Sequence, residues 1–267
     1  MISLSSEKIQ AIDVHAHFGR YVGKSEIVNK FMSADADVVV QRAQLAMTRL
    51  TVVSPLEALM PRLSGDPISG NVNAAQVVAE IDGLLQWVVI DPTQPQTYEQ
   101  AEQMLKQPKC VGIKIHPEEH GYLITKHGRA IFEFAAKHHA IVQSHSGEEK
   151  SIPSDFVKLA NDFPEVMLII SHLGCGWDGD MTHQVRAIQA SKHGNMFTDT
   201  SSAKSITSNL LEWAVSKIGA ERILYGTDSP LYFAPMQRAR IDHANISDQN
   251  KRLILHDNAA QLLGLDK

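Results

Sequence analysis

The chain has 267 residues, of which 43% are hydrophobic and 21% charged, with 16 glycines and 11 prolines. This usage is typical of a soluble globular protein and excludes a disordered chain, a collagen and a coiled coil. The 25 basic and 30 acidic residues give a formal net charge of -5 with no long run of either sign, so nucleic acid is not expected as a partner.

The N-terminal segment and the cysteines indicate where the protein works. MISLSSEKIQ at the start lacks the basic and apolar regions of a signal peptide, and no stretch reaches the roughly 18 apolar residues of a membrane span. We therefore predict a cytoplasmic protein without a membrane partner. Cys110 and Cys175 have no CxxC spacing, which predicts free thiols and excludes zinc held by cysteines. The composition stands out instead for its 13 histidines.

Eight short apolar runs, rich in Val and Ile, recur along the chain. They are QAIDVHAH near residues 10–17, LTVVS near 50–54, LQWVVID near 85–91, CVGIKIH at 110–116, AIVQSH at 140–145, VMLIISH at 166–172, NMFTDT at 195–200 and RILYGTD at 222–228. Such nearly continuous apolar character is typical of strands buried on both faces of a parallel sheet. The ends of the runs lie roughly 25 to 38 residues apart, about the length of one βα unit.

Segments with apolar residues three and four positions apart lie between these runs and predict helices. They include NAAQVVAEI, KHGRAIFEFAAKHH, SDFVKLANDF, MTHQVRAIQASK and SITSNLLEWAVSKI. Eight alternating strands and helices predict an α/β fold, a single (β/α)8 TIM barrel, which typically takes about 250 residues. Residues 1–267 are therefore expected to form one domain. Residues 54–72, with Pro55, Pro61 and Pro67, are predicted to be an irregular loop after the second strand.

Polar side chains end most of the predicted strands, where the active site of such a barrel lies. They are His15 and His17 on the first strand, Lys114 and His116 on the fourth, His145 on the fifth, His172 on the sixth, Asp199 on the seventh and Asp228 on the eighth. Residues two apart on a strand share a face, so His15 and His17 point together. A lone buried histidine is more often a hydrogen-bonded core residue than a ligand. Several that converge with a carboxylate favour a divalent cation at the C-terminal mouth of the strands.

The donor types restrict the metal and its chemistry. Imidazole nitrogens with one carboxylate are expected for zinc, and manganese and iron bind the same set. Water on such an ion has its pKa lowered towards about 7, which predicts hydrolytic or carbonyl-polarising chemistry.

Five motifs carry a family resemblance across residues 11–230. IDVHAHFG, GIKIHP, VQSHSG, ISHLGCG and LYGTDSP resemble the signature strands of the amidohydrolase superfamily. Within it the chain is most similar to the amidohydrolase-related (amidohydrolase 2) branch that includes aminocarboxymuconate-semialdehyde decarboxylase, because the last motif is GTDSP and no β-sandwich flanks the barrel. The resemblance implies a metal-dependent (β/α)8 barrel, and homodimers are common among such barrels.

The resemblance also implies roles for individual residues. The metal ligands would be His15, His17, His145 and Asp228. His172 would not bind the metal but would be an acid/base group or would orient the reactive water, and Asp228 would have a second, catalytic role in taking a proton from water. Asp199 is expected to orient a ligand from behind.

Lys114 leaves two hypotheses open. In some relatives with two metal ions, a lysine on the fourth strand is carboxylated and bridges the ions, and His145 and His172 would then bind the second one. Otherwise one ion is favoured, and Lys114 is a cation that pairs with a substrate carboxylate or with Asp228. His116 is expected to face the pocket, beside the substrate or a second ion.

Arg20 and Tyr21 directly follow the metal pair and are candidates to clamp an anionic substrate, since guanidinium binds carboxylate bidentately. The alternative for Arg20 is an exposed loop residue.

Three functional hypotheses follow. The first is a metal-dependent hydrolase of a small amide, lactone or ester that uses metal-activated water. The alternative, from the same branch, is a non-oxidative decarboxylase or hydratase of a small carboxylic acid, which a single metal with Arg20 on a carboxylate would favour. The remote alternative is a non-catalytic binding barrel. The substrate itself cannot be named, because the loops that select it follow no readable pattern.

Overall fold

The computed structural model describes residues 9–60 and 65–265, and within them eight parallel strands form one sheet in the order β1 to β8. The strands are β1 (Ala11–Phe18), β2 (Thr48–Pro55), β3 (Leu84–Val89), β4 (Cys110–Ile115), β5 (Ile141–Ser144), β6 (Leu168–Ile170), β7 (Met196–Asp199) and β8 (Ile223–Leu224). Each of the eight apolar runs overlaps one of these strands. Together with the intervening helices they confirm the predicted (β/α)8 TIM barrel.

The helices in the described residues alternate with the strands. They are α1 (Glu26–Met32), α2 (Ala36–Leu45), α3 (Leu56–Leu59), α4 (Pro67–Glu80), α5 (Gln96–Met104), α6 (Pro117–His120), α7 (Ile124–His138), α8 (Asp155–Asp162), α9 (His183–Ala190), α10 (Leu210–Ile218), α11 (Ala234–Asp242), α12 (Asp248–Arg252) and α13 (Asn258–Leu263). The five segments predicted from apolar spacing coincide with α4, α7, α8, α9 and α10.

The predicted irregular loop over residues 54–72 is wrong for the part that the structure describes. The beginning of this segment completes β2 and continues into α3, and α4 begins at Pro67. Asp66 caps α4, because its carboxylate accepts hydrogen bonds from two backbone N–H groups of the first turn. A proline is well tolerated at the first helical position, where its missing N–H is not needed, so it marks a helix start here. Pro61 lies outside the described residues.

The largest hydrophobic cluster anchors the strands that carry half of the candidate site. Ile113 of β4 and Val142 of β5 pack with Phe132 of α7 and Phe156 of α8, and all four side chains are fully buried. Each such side chain contributes about 1.5–3 kcal/mol relative to an exposed one. The ends of β4, β5 and β6 therefore project from a rigid base.

The barrel closes between β8 and β1 through individual hydrogen bonds, since β8 is only two residues long. The N–H of Val14 donates to the carbonyl of Tyr225 at 2.9 Å, and the N–H of Asp228 donates to the carbonyl of His15 at 2.7 Å. These bonds bring the segment after β8 against the polar end of β1. The carboxylate of Asp228 is thereby placed beside the histidine pair.

Candidate metal centre

The polar strand ends surround one cavity of about 220 Å³ at the mouth of the barrel. Of the residues singled out in the sequence, its walls include His15, His17, Tyr21, Lys114, His116, His145, His172 and Asp228. Arg20 does not line this cavity but borders two neighbouring depressions. Asp199 does not line it either, since it lies behind His15, so the mouth of the barrel gathers the predicted residues with these two exceptions.

Three buried side chains at the base of the cavity form a compact donor group. Oδ1 of Asp228 lies 2.9 Å from Nε2 of His17 and 3.5 Å from Nε2 of His15. The ligand atoms of this group all lie within 4.8 Å of one another, which is close enough for one ion. The side chains are each less than 9% exposed, so water satisfies them poorly.

Each of the two imidazoles makes a hydrogen bond through Nδ1. That bond determines whether Nε2, the nitrogen that faces Asp228, carries a hydrogen or a lone pair. Nδ1 of His15 lies 3.0 Å from Oδ2 of Asp199, and Nδ1 of His17 lies 3.0 Å from the carbonyl oxygen of Ser54. A carboxylate and a carbonyl oxygen only accept, so both Nδ1 atoms carry the proton and both Nε2 atoms present lone pairs. Lone pairs from His15, His17 and Asp228 therefore face one another, an arrangement that a divalent cation satisfies. The residues fit zinc, manganese or iron.

The pKa values of these buried side chains also favour the protonation states that bind a metal ion. Desolvation lowers the pKa of His15 to about 4 and holds the pKa of His172 well below 6.5. Burial acts to raise the pKa of Asp228, but the hydrogen bond with His17 and the nearby His15 and His172 together outweigh this, and the pKa falls below its ordinary value. Neutral imidazoles and an ionised carboxylate are the forms that bind metal ions near neutral pH.

His145 lies outside the compact donor group. Among the described residues, the two donor groups compact enough for an ion are His15 with His17 and Asp228, and His15 with His172 and Asp199, and His145 is in neither. Its Nδ1 lies 3.0 Å from Nε2 of His172, its ring stacks on His116 at 4.1 Å, and its Nε2 faces Glu148 at 3.3 Å. That His145 is a metal ligand stays a prediction.

Both predicted catalytic residues have unusual backbone conformations. His172 has φ of 74° and Asp228 has φ of 56°, in the left-handed region that side chains other than glycine rarely adopt. Such conformations concentrate at functional sites, where surrounding contacts hold them. Here the N–H of His172 donates to Oδ1 of Asp199 at 3.0 Å, and the N–H of Asp228 is held by β1.

Lys114 contacts His15 on the side of the ring that faces the cavity. Its Nζ is 3.0 Å from Nε2 of His15 and 3.1 Å from Oε1 of Gln143, and the side chain is 1% exposed. Burial lowers the pKa of Lys114 to about 8. The amine therefore contacts the same nitrogen that His15 would offer to a metal ion, and both hypotheses for this lysine remain open.

Sequence reasoning missed three polar residues that support the site. Ser54 anchors His17, Gln143 links Lys114 to Asp199, and the hydroxyl of Ser201 joins Asp199 to His172. Gln143 carried a signal, since it is a polar residue inside an otherwise apolar strand. Ser201 follows β7 closely in a run of small hydroxyl residues, which resembles many ordinary loops.

None of the helices in the described part of the chain has the length and apolar character needed to cross a bilayer.

Comparisons with known proteins agree on a family and a fold. A family model described as Amidohydrolase matches residues 12–265. The comparison with curated proteins found no match.

Solved structures that resemble this chain include decarboxylases. The 2,6-dihydroxybenzoate decarboxylase from Rhizobium has a TM-score of 0.75 at 14% identity, over 96% of this chain and 99% of that chain. The dihydroxybenzoic acid decarboxylase from Polaromonas sp. JS666, solved with manganese and the inhibitor 2-nitroresorcinol, has a TM-score of 0.73 at 15% identity, over 96% and 97%. The 5-carboxyvanillate decarboxylase from Sphingomonas paucimobilis has a TM-score of 0.74 at 12% identity, over 96% and 99%. At these identities the likeness shows the fold alone.

Proposed function

Because the chain belongs to the amidohydrolase family, we propose that it is a metal-dependent enzyme that removes the carboxyl group of a small carboxylic acid without oxidation. The observation that carries the proposal is the compact buried group of His15, His17 and Asp228, whose lone pairs converge beside a cavity. The fold shared with decarboxylases, one of them solved with manganese, supports this alternative over the hydrolase hypothesis. Hydrolysis of an amide, lactone or ester has no comparable support.

In this proposal one ion is held by His15, His17 and Asp228, with His145 as a fourth ligand. Bound there, a divalent ion supplies a fixed positive charge that stabilises negative charge developing on substrate oxygens. Nζ of Lys114 contacts His15 and Gln143, and we propose that this lysine acts as a cation beside one ion rather than as a carboxylated bridge between two. Manganese and zinc are the proposed metals, because both accept imidazole and carboxylate donors.

The size and walls of the cavity support a substrate with a single ring. A cavity of about 150 Å³ holds benzene, so a space of about 220 Å³ accommodates one substituted ring. Leu56 and Leu231 supply apolar walls, and Tyr21 and Tyr232 line the same space. Burial raises the pKa of Tyr232 to about 12, so its hydroxyl keeps its proton and can donate to a substrate oxygen. A hydroxylated benzoic acid combines these features.

Of the two predicted substrate-binding residues, Tyr21 is the one that we propose contacts this substrate. Arg20 lies outside the cavity, so the carboxylate would be bound by the metal centre rather than by a guanidinium clamp.

Decarboxylation requires a proton at the carbon that loses its substituent. When the carbon–carbon bond breaks, its electron pair stays on that carbon, carbon dioxide leaves, and a proton takes its place. His172 and Asp228 line the cavity, and we propose that they relay to this carbon a proton taken up from water. Both are buried, so bulk water competes weakly with the transfer.

The test combines metal content with turnover. Protein purified without chelator is expected to contain about one manganese or zinc ion per chain and to release carbon dioxide from 2,6-dihydroxybenzoate, from 5-carboxyvanillate or from a related hydroxylated benzoic acid. Asp228→Ala should lose both metal and activity, whereas Asp248→Ala, at the exposed start of α12, should lose neither. Hydrolysis of ester, lactone or amide substrates without decarboxylation would contradict the proposal, as would a chain that binds no metal after reconstitution.

A further inference from the structure

A buried serine that follows β7 joins the carboxylate of Asp199 to the ring of His172. The hydroxyl of Ser201 donates to Oδ1 of Asp199, and Oγ of the same residue lies 2.7 Å from Nδ1 of His172. The backbone N–H groups of Ser201 and His172 donate to the same Oδ1 at 3.1 and 3.0 Å. All three side chains are less than 9% exposed, so these bonds do not compete with bulk water.

The direction of each hydrogen bond follows from what the groups can donate. An ionised carboxylate only accepts, so the single hydroxyl hydrogen of Ser201 points to Asp199. The remaining lone pairs of Ser201 can only accept, so the hydrogen between Ser201 and His172 belongs to Nδ1 of the imidazole. In the neutral ring of His172 the other nitrogen, Nε2, then carries a lone pair.

The same reasoning extends one residue further. Nε2 of His172 lies 3.0 Å from Nδ1 of His145. Because Nε2 of His172 accepts, Nδ1 of His145 must donate. Nε2 of His145 lies 3.3 Å from the carboxylate of Glu148 but makes no hydrogen bond among the described residues, so in a neutral ring it carries the lone pair. A histidine binds a metal ion through a nitrogen without hydrogen while the other nitrogen donates to a neighbour.

We propose that Ser201 is a positioning residue that fixes the ring proton of His172 on Nδ1 and, through His172, leaves Nε2 of His145 available to the metal ion. This inference rests on the metal site of the proposed function. In many metal sites a carboxylate holds a ligating histidine directly. In this proposal two side chains, Ser201 and His172, stand between the carboxylate of Asp199 and the ligating His145. Asp199 also makes the direct contact, since its Oδ2 lies 3.0 Å from Nδ1 of His15.

The first measurement is the tautomer of His172. Long-range proton–nitrogen spectra of the full-length, metal-free chain labelled with 15N-histidine distinguish a proton on Nδ1 from one on Nε2. The native protein is expected to show His172 protonated on Nδ1. In Ser201→Ala this proton loses its acceptor, so a measurable share of His172 should move to the Nε2 form.

The second measurement is the affinity for Mn²⁺, followed by the electron paramagnetic resonance signal of the free ion. Ser201→Ala should weaken binding about 10–100-fold, the usual cost of losing a residue that orients a metal ligand. Ser201→Thr keeps the hydroxyl and should restore both the tautomer and the affinity. Ser205→Ala is the matched control, since its buried hydroxyl bonds to backbone carbonyls and Gln237 but to no histidine ring, and it should behave as the native chain.

The outcomes separate this inference from the proposed function. A native His172 protonated on Nε2 overturns the inference, whether or not the variants fold. Unchanged tautomer and Mn²⁺ affinity in a folded Ser201→Ala overturn it as well. Neither measurement needs a substrate, so a chain that shows the expected tautomers and Mn²⁺ affinities but decarboxylates no acid counts against the proposed function alone.

Discussion

The two sides of the candidate site hold their histidines by different means. On the side formed by β1 and β8, each imidazole is anchored by one direct hydrogen bond: His15 to Asp199 and His17 to the carbonyl of Ser54. The backbone itself delivers Asp228, through the bond from its N–H to the carbonyl of His15. Strand geometry therefore determines most of this side.

On the side formed by β5 and β6, the same carboxylate acts through a series of side chains. The ring of His145 is linked to Asp199 through the side chains of His172 and Ser201. Each link adds a side chain whose loss breaks the series. The direct side should therefore fail when a metal donor or the single group that anchors it is changed, whereas the indirect side should also fail when a residue further from the ion, such as Ser201, is changed.

The largest expected effect comes from removing a donor on the direct side. His17→Ala takes one of three nitrogen and oxygen donors from the compact group, so Mn²⁺ affinity should fall by more than the roughly 10–100-fold typical of an orienting residue. Titration with Mn²⁺ and elemental analysis measure this loss. His193→Ala, on an exposed residue, is the control. An affinity equal to that of the native chain would show that this side does not bind the ion.

Asp199→Asn should break both sides at once. The amide donates as well as accepts, so it disturbs the bonds to His15 and to Ser201 together. Mn²⁺ affinity should fall further than in Ser201→Ala. Adding Ser201→Ala to Asp199→Asn should have little additional effect, because the effects of substitutions at residues in contact do not add. Full additivity in this double-mutant cycle would contradict a shared series. Asp178→Asn, which alters an exposed aspartate bonded to His183, is the control.

Thr227→Val tests the contact between β1 and the segment after β8, which positions His15 and Asp228. The hydroxyl of Thr227 donates to Oδ2 of Asp13 at 2.6 Å, next to the backbone of His15 and Asp228. Loss of this donor to a buried carboxylate should lower the free energy of unfolding by about 1–3 kcal/mol, measured by urea denaturation. Thr227→Ser keeps the hydroxyl and should retain most of the stability. If the valine variant is as stable as the serine variant, the hydrogen bond is not what closes the barrel.

The smallest effect is expected outside both sides, at the start of α4. Asp66→Ala removes a helix cap and should cost about 1 kcal/mol of unfolding free energy without changing Mn²⁺ affinity. The hydrogen bond from Ser69 lowers the pKa of Asp66 in the folded state below 3.8. The contribution of the cap is therefore present above that value and is lost as the pH falls through the folded pKa. Denaturation across this pH range, with Asp66→Ser as control, checks it, and a loss that does not depend on pH would count against the charged cap.

The sequence by itself determined the barrel and the direct side of the site. Apolar runs at intervals of one βα unit predicted the eight strands, because strand burial is encoded locally in consecutive residues. The alternation of a strand placed His15 and His17 on one face, and strand ends in a barrel meet at one mouth. Asp228 could be added from the motif that follows β8.

Only the tertiary structure decided which polar residues support those donors. Pro67 was interpreted as part of a loop because a proline after a strand has two meanings, and the cap by Asp66 selects one of them. Arg20 follows the metal pair in the chain yet lies outside the cavity. Asp199 holds His15 across 184 positions of sequence, and Ser201 contacts a ring 29 positions before it. Local patterns contain no record of such distant pairs, which exist only once the strands have closed into a barrel.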